Sequence, residues 1–299
     1  MAGGPRFHHH CRIGNWSEDT SLDEVKLKDF IKKKEAGNLL VNAKQKRLQK
    51  SLTPVDLSLC ANGVVHFGDA VMLANHQTRC FLSVDPHDKV SKDRDCFTVT
   101  ASGTVTSVAR NVFVMKRANH EDGFGESTEL HYGQHFRLAT CEALAESETY
   151  LHSEPVSPLA AAKISRFQEV VMHPVADGNT IWEVVHPDPK IRFEMKDKEV
   201  PANEVLVFRH VATGRFLGSD KLPYLNDYGS EYEVACHSYL SANKTHNCYS
   251  ELKGSITADY ELRRQALPNL WTIFGQDPPA EQEGEGAAQA PEEPVEPQN

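Results

Sequence analysis

The chain lacks the short signatures on which most enzyme families are built. It has no Gly-x-Ser-x-Gly nucleophile elbow, no glycine-rich phosphate loop and no His-Glu-x-x-His helix. His8 to His10, next to Cys11, and the scattered His66, His131 and His210 have metal-ligating side chains, but we interpret them as inert or packing residues. We therefore expect no enzymatic activity, no catalytic residues, and neither a metal nor a cofactor.

Membrane and secretion signals are also missing. No apolar run approaches the length of a membrane span, and the N-terminus has no apolar signal core. None of the seven cysteines form a Cys-x-x-Cys pair, which favours reduced thiols in a cytoplasmic protein. A formal net charge of −10 argues against nucleic acid as a partner, and nothing predicts contact with a membrane.

What the chain does have is an internal repeat. Three segments begin with a turn, continue with alternating apolar residues and are followed by a second aromatic residue. Their turns align Gly68, Gly133 and Ala202. Alternation then predicts these core-facing pairs: Val71 with Leu73, Phe136 with Leu138, and Val205 with Val207.

Each repeat also contains a middle strand and a closing strand that ends on a large aromatic residue. We expect Phe113, Trp182 and Trp271 to fill the core. Three units of four strands predict a mainly β fold, a β-trefoil with three pseudo-repeats. The alternative is a run of unrelated hairpins in a β-sandwich. The third repeat carries an insertion at residues 239–267, in which 256–264 fit a helical turn.

The ends of the chain differ from the repeats. Residues 1–56 are predicted to form an N-terminal arm with basic helices, 57–276 the trefoil, and 277–299 a disordered acidic tail. A capping box at Ser21 predicts the start of one helix, with Leu22, Val25, Phe30 and Ile31 on one face and Gly37 at its end. A second helix is predicted within residues 39–52.

Lysine and arginine are concentrated in this arm, above all in Lys32, Lys33, Lys34, Lys46 and Arg47. Two interpretations remain open. The cluster is either a solvated helix surface or a basic arm that docks on an acidic protein surface.

Two known families resemble these patterns. The repeated turns and strands resemble the MIR repeat, a β-trefoil module. Residues 12–19, 66–73, 131–134, 186–189 and 200–203 closely resemble the cilia- and flagella-associated protein 161 family, with similarity over about residues 11–275.

The second resemblance implies a structural microtubule inner protein in the lumen of axonemal doublet microtubules, within the A-tubule, that supports the motility of cilia and flagella. Its implied location is the cytoplasm, in the cytoskeleton of the ciliary or flagellar axoneme. Its implied partners are α-tubulin, β-tubulin and other microtubule inner proteins. Partner-binding candidates lie in the arm: Arg12, Ile13, Asn15, Trp16, Lys32, Lys33, Lys34, Lys46 and Arg47.

Two alternatives stay open. Trp16 either anchors the arm on a partner or folds back onto the body of its own chain. The whole protein is alternatively a soluble β-trefoil that binds a sugar or an inositol phosphate. That function requires convergent cations, for which Arg192, Arg209, Arg215 and Lys221 are the candidates.

Overall fold

A computed structural model describes residues 16–91, 94–119, 123–125, 127–145, 147–239, 252–254 and 265–276. The α-helices in these ranges are α1 (Trp16–Glu35), α2 (Leu40–Ser51) and α3 (Arg192–Met195), and short 3₁₀ helices lie at Ala61–Gly63, Gly178–Thr180 and Leu267–Asn269. The strands are β1 (Ala70–Asn75), β2 (Phe81–Ser91), β3 (Arg94–Ser102), β4 (Phe113–Arg117), β5 (His135–Thr140), β6 (Tyr150–Ser153), β7 (Gln168–His173), β8 (Trp182–Val185), β9 (Val205–His210), β10 (Leu217–Asn226), β11 (Gly229–Cys236) and β12 (Trp271–Phe274). The predicted helical turn at 256–264 and the predicted tail at 277–299 lie outside the described residues.

The strands lie where the repeat predicted them, so the mainly β fold is confirmed. All belong to one 12-stranded sheet, which argues against a sandwich of two sheets. Six of them close into an antiparallel ring in the order β1-β4-β5-β8-β9-β12. The remaining six form hairpins β2–β3, β6–β7 and β10–β11, and strands β3, β7 and β11 pair with one another to make a cap.

Three segments, one from each predicted repeat, meet in a closed cycle of backbone hydrogen bonds. The amide of Leu130 donates to the carbonyl of Val65 at 2.9 Å, that of Val200 to Leu130 at 2.8 Å, and that of Val65 to Val200 at 3.1 Å. All three residues are fully buried. Because unpaired buried amides are costly, each of these three segments depends on the other two at this point.

The predicted core aromatics are confirmed. Phe113, Trp182 and Trp271 are each at most 1% exposed. The two indole groups are also satisfied in equivalent ways, since Trp182 Nε1 donates to the carbonyl of Leu151 at 2.8 Å and Trp271 Nε1 to that of Leu217 at 3.1 Å. Burial of such large side chains supplies much of the stabilisation of a β core.

The predicted turn alignment is wrong in the third repeat. Gly68 and Gly133 have positive φ angles of 94° and 80°, and the third residue of this kind is Asn203, with φ 62°, rather than Ala202. Their amides donate to equivalent carbonyls, those of Met115, Val184 and Ile273. Asparagine tolerates the left-handed region better than other residues with a side chain, which explains why it replaces glycine here.

This shift by one residue changes which face of β9 meets the core. Val205 is 37% exposed and Val207 is buried outside the core cluster, whereas Leu206 and Phe208 are fully buried within it. Successive strand residues point to opposite sides, so an alignment error of one residue exchanges the two faces. In the first two repeats the predicted core pairs are confirmed.

The helical arm agrees with the sequence in part. Helix α2 lies within the predicted range 39–52. Gly37, with a φ of 69°, follows the end of α1 as predicted, and the amide of Asn38 donates to the carbonyl of Lys33 at 2.9 Å. Helix α1, however, begins at Trp16 instead of Ser21. No glycine or proline interrupts residues 16–35, so the helix continues through the predicted cap.

Two further statements concern the chain as a whole. None of the helices in the described ranges is long and apolar enough to cross a membrane. The domain division at residues 56 and 276 stays a prediction.

Candidate functional site

The predicted basic residues of the arm lie on two helices and face solvent. Lys32, Lys33 and Lys34 form the last turn of α1, while Lys46 and Arg47 lie in the middle of α2. Lys33 pairs with Asp29 one turn earlier at 2.7 Å, an exposed pair that contributes little stability. Cations at a helix C-terminus also interact favourably with the helix dipole.

The remaining arm candidates are only partly placed. Arg12, Ile13 and Asn15 lie outside the described residues. Trp16 opens α1, and its side chain also lies outside the part of the chain that the structure describes. The choice between an anchor and a fold-back role for Trp16 therefore stays a prediction.

Helix α1 does not have the predicted apolar face. At 100° per residue, Leu22 and Ile31 point to opposite sides, about 180° apart. From Thr20 to Glu35 every residue is exposed, including Phe30 at 48%. The expectation of one shared face was wrong because four apolar residues at irregular spacing do not form a stripe.

Helix α2 is attached to the body of the protein. The carbonyl of Ser51 accepts from the amide of Arg110 at 3.1 Å, and Lys44 forms an ion pair with Asp227 of the β10–β11 hairpin at 2.7 Å. Between α2, β2 and this hairpin lies a cleft of about 620 Å³, which Arg47 also lines. The body thus fixes the orientation of the basic residues on α2.

A buried ion pair lies directly behind this attachment. Arg110, 1% exposed, donates from both terminal nitrogens to the carboxylate of Glu231, at 2.6 and 3.0 Å. Thr100 and Asn226 donate to the same carboxylate. The ring centroid of Tyr228 lies 3.6 Å from the guanidinium carbon of Arg110.

These contacts decide the charge of Glu231. Burial alone would raise the pKa of Glu231. Arg110 opposes this effect through its hydrogen bonds and its positive charge, and Thr100 and Asn226 add further hydrogen bonds. Together these interactions hold the pKa of Glu231 below its ordinary value. The carboxylate is therefore ionised at neutral pH and links β3, β11 and the segment before β4. This pair could not be predicted from the sequence, because Arg110 and Glu231 lie 121 residues apart, in the first and third predicted repeats.

A second cleft, of about 560 Å³, lies beside β5, β8, β9 and α3. Two of the four candidate cations for a soluble ligand, Arg192 and Arg209, line it, together with Lys196. Arg215 and Lys221 are not among its lining residues. Binding of a sugar or an inositol phosphate stays a prediction.

The histidines do not form a metal centre within the described ranges, where no group of three or more His, Cys, Asp or Glu side chains is placed to hold an ion. His210 is buried and bonds the Asn179 carbonyl and the Thr213 hydroxyl, as expected of a packing residue. His8 to His10 lie outside the described residues. The five cysteines that the structure describes are all buried.

Comparisons with known proteins agree on a family. A family model described as the cilia- and flagella-associated protein 161-like domain matches residues 154–249. The Bos taurus cilia- and flagella-associated protein 161 is 32% identical over 258 residues, covering 81% of this chain and 78% of that protein. The Danio rerio protein of the same name is 31% identical over 262 residues, covering 82% of this chain and 86% of that protein.

One solved structure supports the fold. A Caenorhabditis elegans protein of unknown function aligns with a TM-score of 0.50 at 17% identity, covering 72% of this chain and 98% of that one. This similarity concerns the fold alone. The identity to the curated relatives extends over most of both chains, and the chain therefore belongs to the cilia- and flagella-associated protein 161 family.

Proposed function

We propose that this chain is a structural, non-enzymatic microtubule inner protein of cilia and flagella. It braces the lumen of axonemal doublet microtubules, within the A-tubule, by contacts to α-tubulin, β-tubulin and neighbouring inner proteins, and so supports motility. The observation that carries the proposal is helix α1, which is exposed from Thr20 to Glu35 although it is attached to a closely packed body. Membership of a family named for cilia and flagella supports the location.

The body is suited to a bracing role. We interpret its ring of six strands, its cap of three hairpins and the cycle of Val65, Leu130 and Val200 as a MIR-like β-trefoil with three pseudo-repeats. A closed sheet leaves few free strand edges and holds its loops at fixed positions. Loops on a rigid scaffold can each contact a different partner.

The arm supplies the attachment. An exposed helix of about 30 Å gains stability when a partner covers it. The five exposed cations Lys32, Lys33, Lys34, Lys46 and Arg47 favour an acidic partner surface, since opposite charges steer association. In a periodic lattice, several weak contacts of this kind add up to tight retention.

Extraction of isolated axonemes tests the proposal. The axonemes are washed with rising salt and detergent, and the chain is followed by mass spectrometry. We expect it to remain with the doublets until tubulin itself dissolves. Release with the membrane and matrix fraction would overturn the inner-protein proposal and would favour a soluble ligand-binding protein.

A charge-reversal variant separates the role of the arm from that of the body. Lys32→Glu, Lys33→Glu and Lys34→Glu together are compared with a matched set of exposed cations outside the helices, Arg79→Glu, Arg215→Glu and Lys221→Glu. We expect the arm variant to leave the doublets at lower salt than the control variant. Equal retention of both would show that the charges of the arm do not contribute.

A further inference from the structure

The cleft beside α3 carries more positive charge than its surroundings. Arg192, Lys196 and Arg209 line it, whereas Glu183 is its only lining carboxylate among the described residues. The whole chain has a formal net charge of −10. A concave cationic surface on an acidic protein concentrates anions locally.

Arg192 is held in place but is not neutralised. Its Nε donates to the carbonyl of His186 at 2.7 Å, and its guanidinium carbon lies 5.5 Å from the ring centroid of Phe216. Its Nη2 atom is buried and has no hydrogen-bond partner within the described part of the chain. Burial, and then the like charge of Arg209, lower the pKa of Arg192, while Asp188 opposes this effect. Because Arg192 lines the cleft, an anion bound there would meet its positive charge.

The two neighbouring cations differ in their pairing. Arg209 Nε forms an ion pair with the nearly buried carboxylate of Glu183. The exposed Lys196 lies with its aliphatic stem against Gly133, and no described carboxylate lies within ion-pair distance of its ammonium group. Arg192 and Lys196 are therefore available to one ligand, whereas Arg209 is largely used within the protein.

We propose that this cleft binds the carboxylate side chains of an acidic segment from a partner protein. One observation favours a peptide over a phosphate. Phe193, 89% exposed, together with Val185 and Pro189, offers apolar contacts that a small inorganic ion does not use.

This inference goes beyond the proposed role of the helices and does not depend on it. The cleft shares no lining residue with the cleft beneath α2. The protein would then have two independent attachment surfaces, one on the arm and one on the body.

Binding by the purified full chain tests the proposal. The probe is a fluorescein-labelled hexapeptide of four glutamates and two leucines, and the reference is the same peptide with glutamine in place of glutamate. Fluorescence anisotropy gives the two dissociation constants at fixed, low salt. We expect the glutamate peptide to bind at least about tenfold more tightly, because each desolvated charge pair contributes on the order of one decade in affinity.

Three variants locate the site. Arg192→Gln and Lys196→Glu should each weaken binding of the glutamate peptide by about tenfold or more. Lys221→Glu, an exposed cation outside the cleft, should change it by less than about twofold. Lys196→Glu makes this test robust, since that side chain is exposed and its replacement should not affect folding.

Three outcomes would overturn the proposal. The first is equal binding of both peptides, and the second is unchanged binding by Lys196→Glu. The third is displacement of the labelled peptide by inositol hexakisphosphate at far lower concentration than by unlabelled glutamate peptide, which would make the cleft a phosphate site. The arm variant with Lys32, Lys33 and Lys34 reversed should bind the peptide normally, so failure here is distinct from failure of the proposed function.

Discussion

The ring-and-cap body and helix α1 show two different relations between sequence and stability. In the body, large residues such as Trp182 and Trp271 are fully buried and their polar atoms are paired. From Thr20 to Glu35, α1 is exposed on every side, and its apolar residues Phe30 and Ile31 are exposed to solvent. The body is stabilised by its own packing, whereas in the proposed function the role of α1 depends on what binds to it.

The largest expected effect comes from the core aromatics. Trp271→Ala removes a fully buried side chain and its hydrogen bond to Leu217, so we expect a loss of about 3–5 kcal/mol in the free energy of unfolding. Urea denaturation followed by circular dichroism measures it. The control, Leu225→Ala, alters an 84% exposed residue and should stay within about 0.5 kcal/mol. Similar values for both variants would contradict the assignment of Trp271 to the core.

Breaking the buried ion pair should have a similar or slightly smaller effect. Arg110→Met leaves the carboxylate of Glu231 buried without its main partner, which typically costs about 3–5 kcal/mol. Adding Glu231→Gln removes the buried charge and should recover part of the loss. The free energies of unfolding of the single and double variants, measured by urea denaturation, check this expected recovery. A double variant no more stable than Arg110→Met would show that the charge itself is unimportant.

The same pair predicts a pH dependence. The pKa of Glu231 is lower in the folded than in the unfolded protein, so its contribution to stability is complete above the unfolded pKa, near 4.5, and is lost as the pH falls through the folded pKa. Unfolding free energies measured from pH 7 down to pH 3 should therefore fall more steeply for the wild type than for Arg110→Met/Glu231→Gln. Parallel pH profiles would argue against a depressed pKa.

A smaller effect is expected at the turn of the third repeat. Asn203 has a φ of 62°, a conformation that costs an ordinary residue roughly 1–2 kcal/mol. We therefore expect Asn203→Ala to destabilise the protein by about 1 kcal/mol and Asn203→Gly to change stability by less than about 0.5 kcal/mol. Thermal unfolding of the two variants distinguishes them, and equal destabilisation would mean that the Asn203 side chain, rather than its backbone angle, matters.

The smallest effect on stability is expected in α1. Phe30→Ala and Ile31→Ala change exposed residues, so the free energy of unfolding should move by less than about 0.5 kcal/mol. Retention on axonemes should fall, because a partner would lose both contacts. Unchanged retention, or a large loss of stability, would remove the distinction between the body and α1.

Much of the fold could be predicted from the sequence because the repeat signals agree with one another. Strand alternation, turn residues and closing aromatics occur in the same order in each repeat. The error at Val205 arose from a single ambiguous turn, in which Asn203 takes the part that glycine plays at Gly68 and Gly133. Asparagine in a left-handed conformation cannot be recognised from its residue type alone.

The candidate sites were less predictable, since they depend on contacts between distant residues. The concentration of lysine in the arm was visible, but the pairing of Arg110 with Glu231 joins residues in different repeats. The cleft around Arg192 and Arg209 also needs Phe193 from α3 and Lys196 directly after it, and the repeat pattern does not predict this short helix. Pattern and composition identify elements, while sites arise where the fold brings elements together.

Closure of the strand ring has a consequence for how the chain is made. Strand β12 pairs with both β1 and β9, so the ring stays open until the ribosome has released residues 271–274. Until then β1 and β9 have exposed edges, which are sites for pairing with other chains. Closure of the ring therefore waits for β12, the last strand in the described part of the chain. A product that stops before Trp271 would be an aggregation-prone intermediate rather than a smaller folded domain.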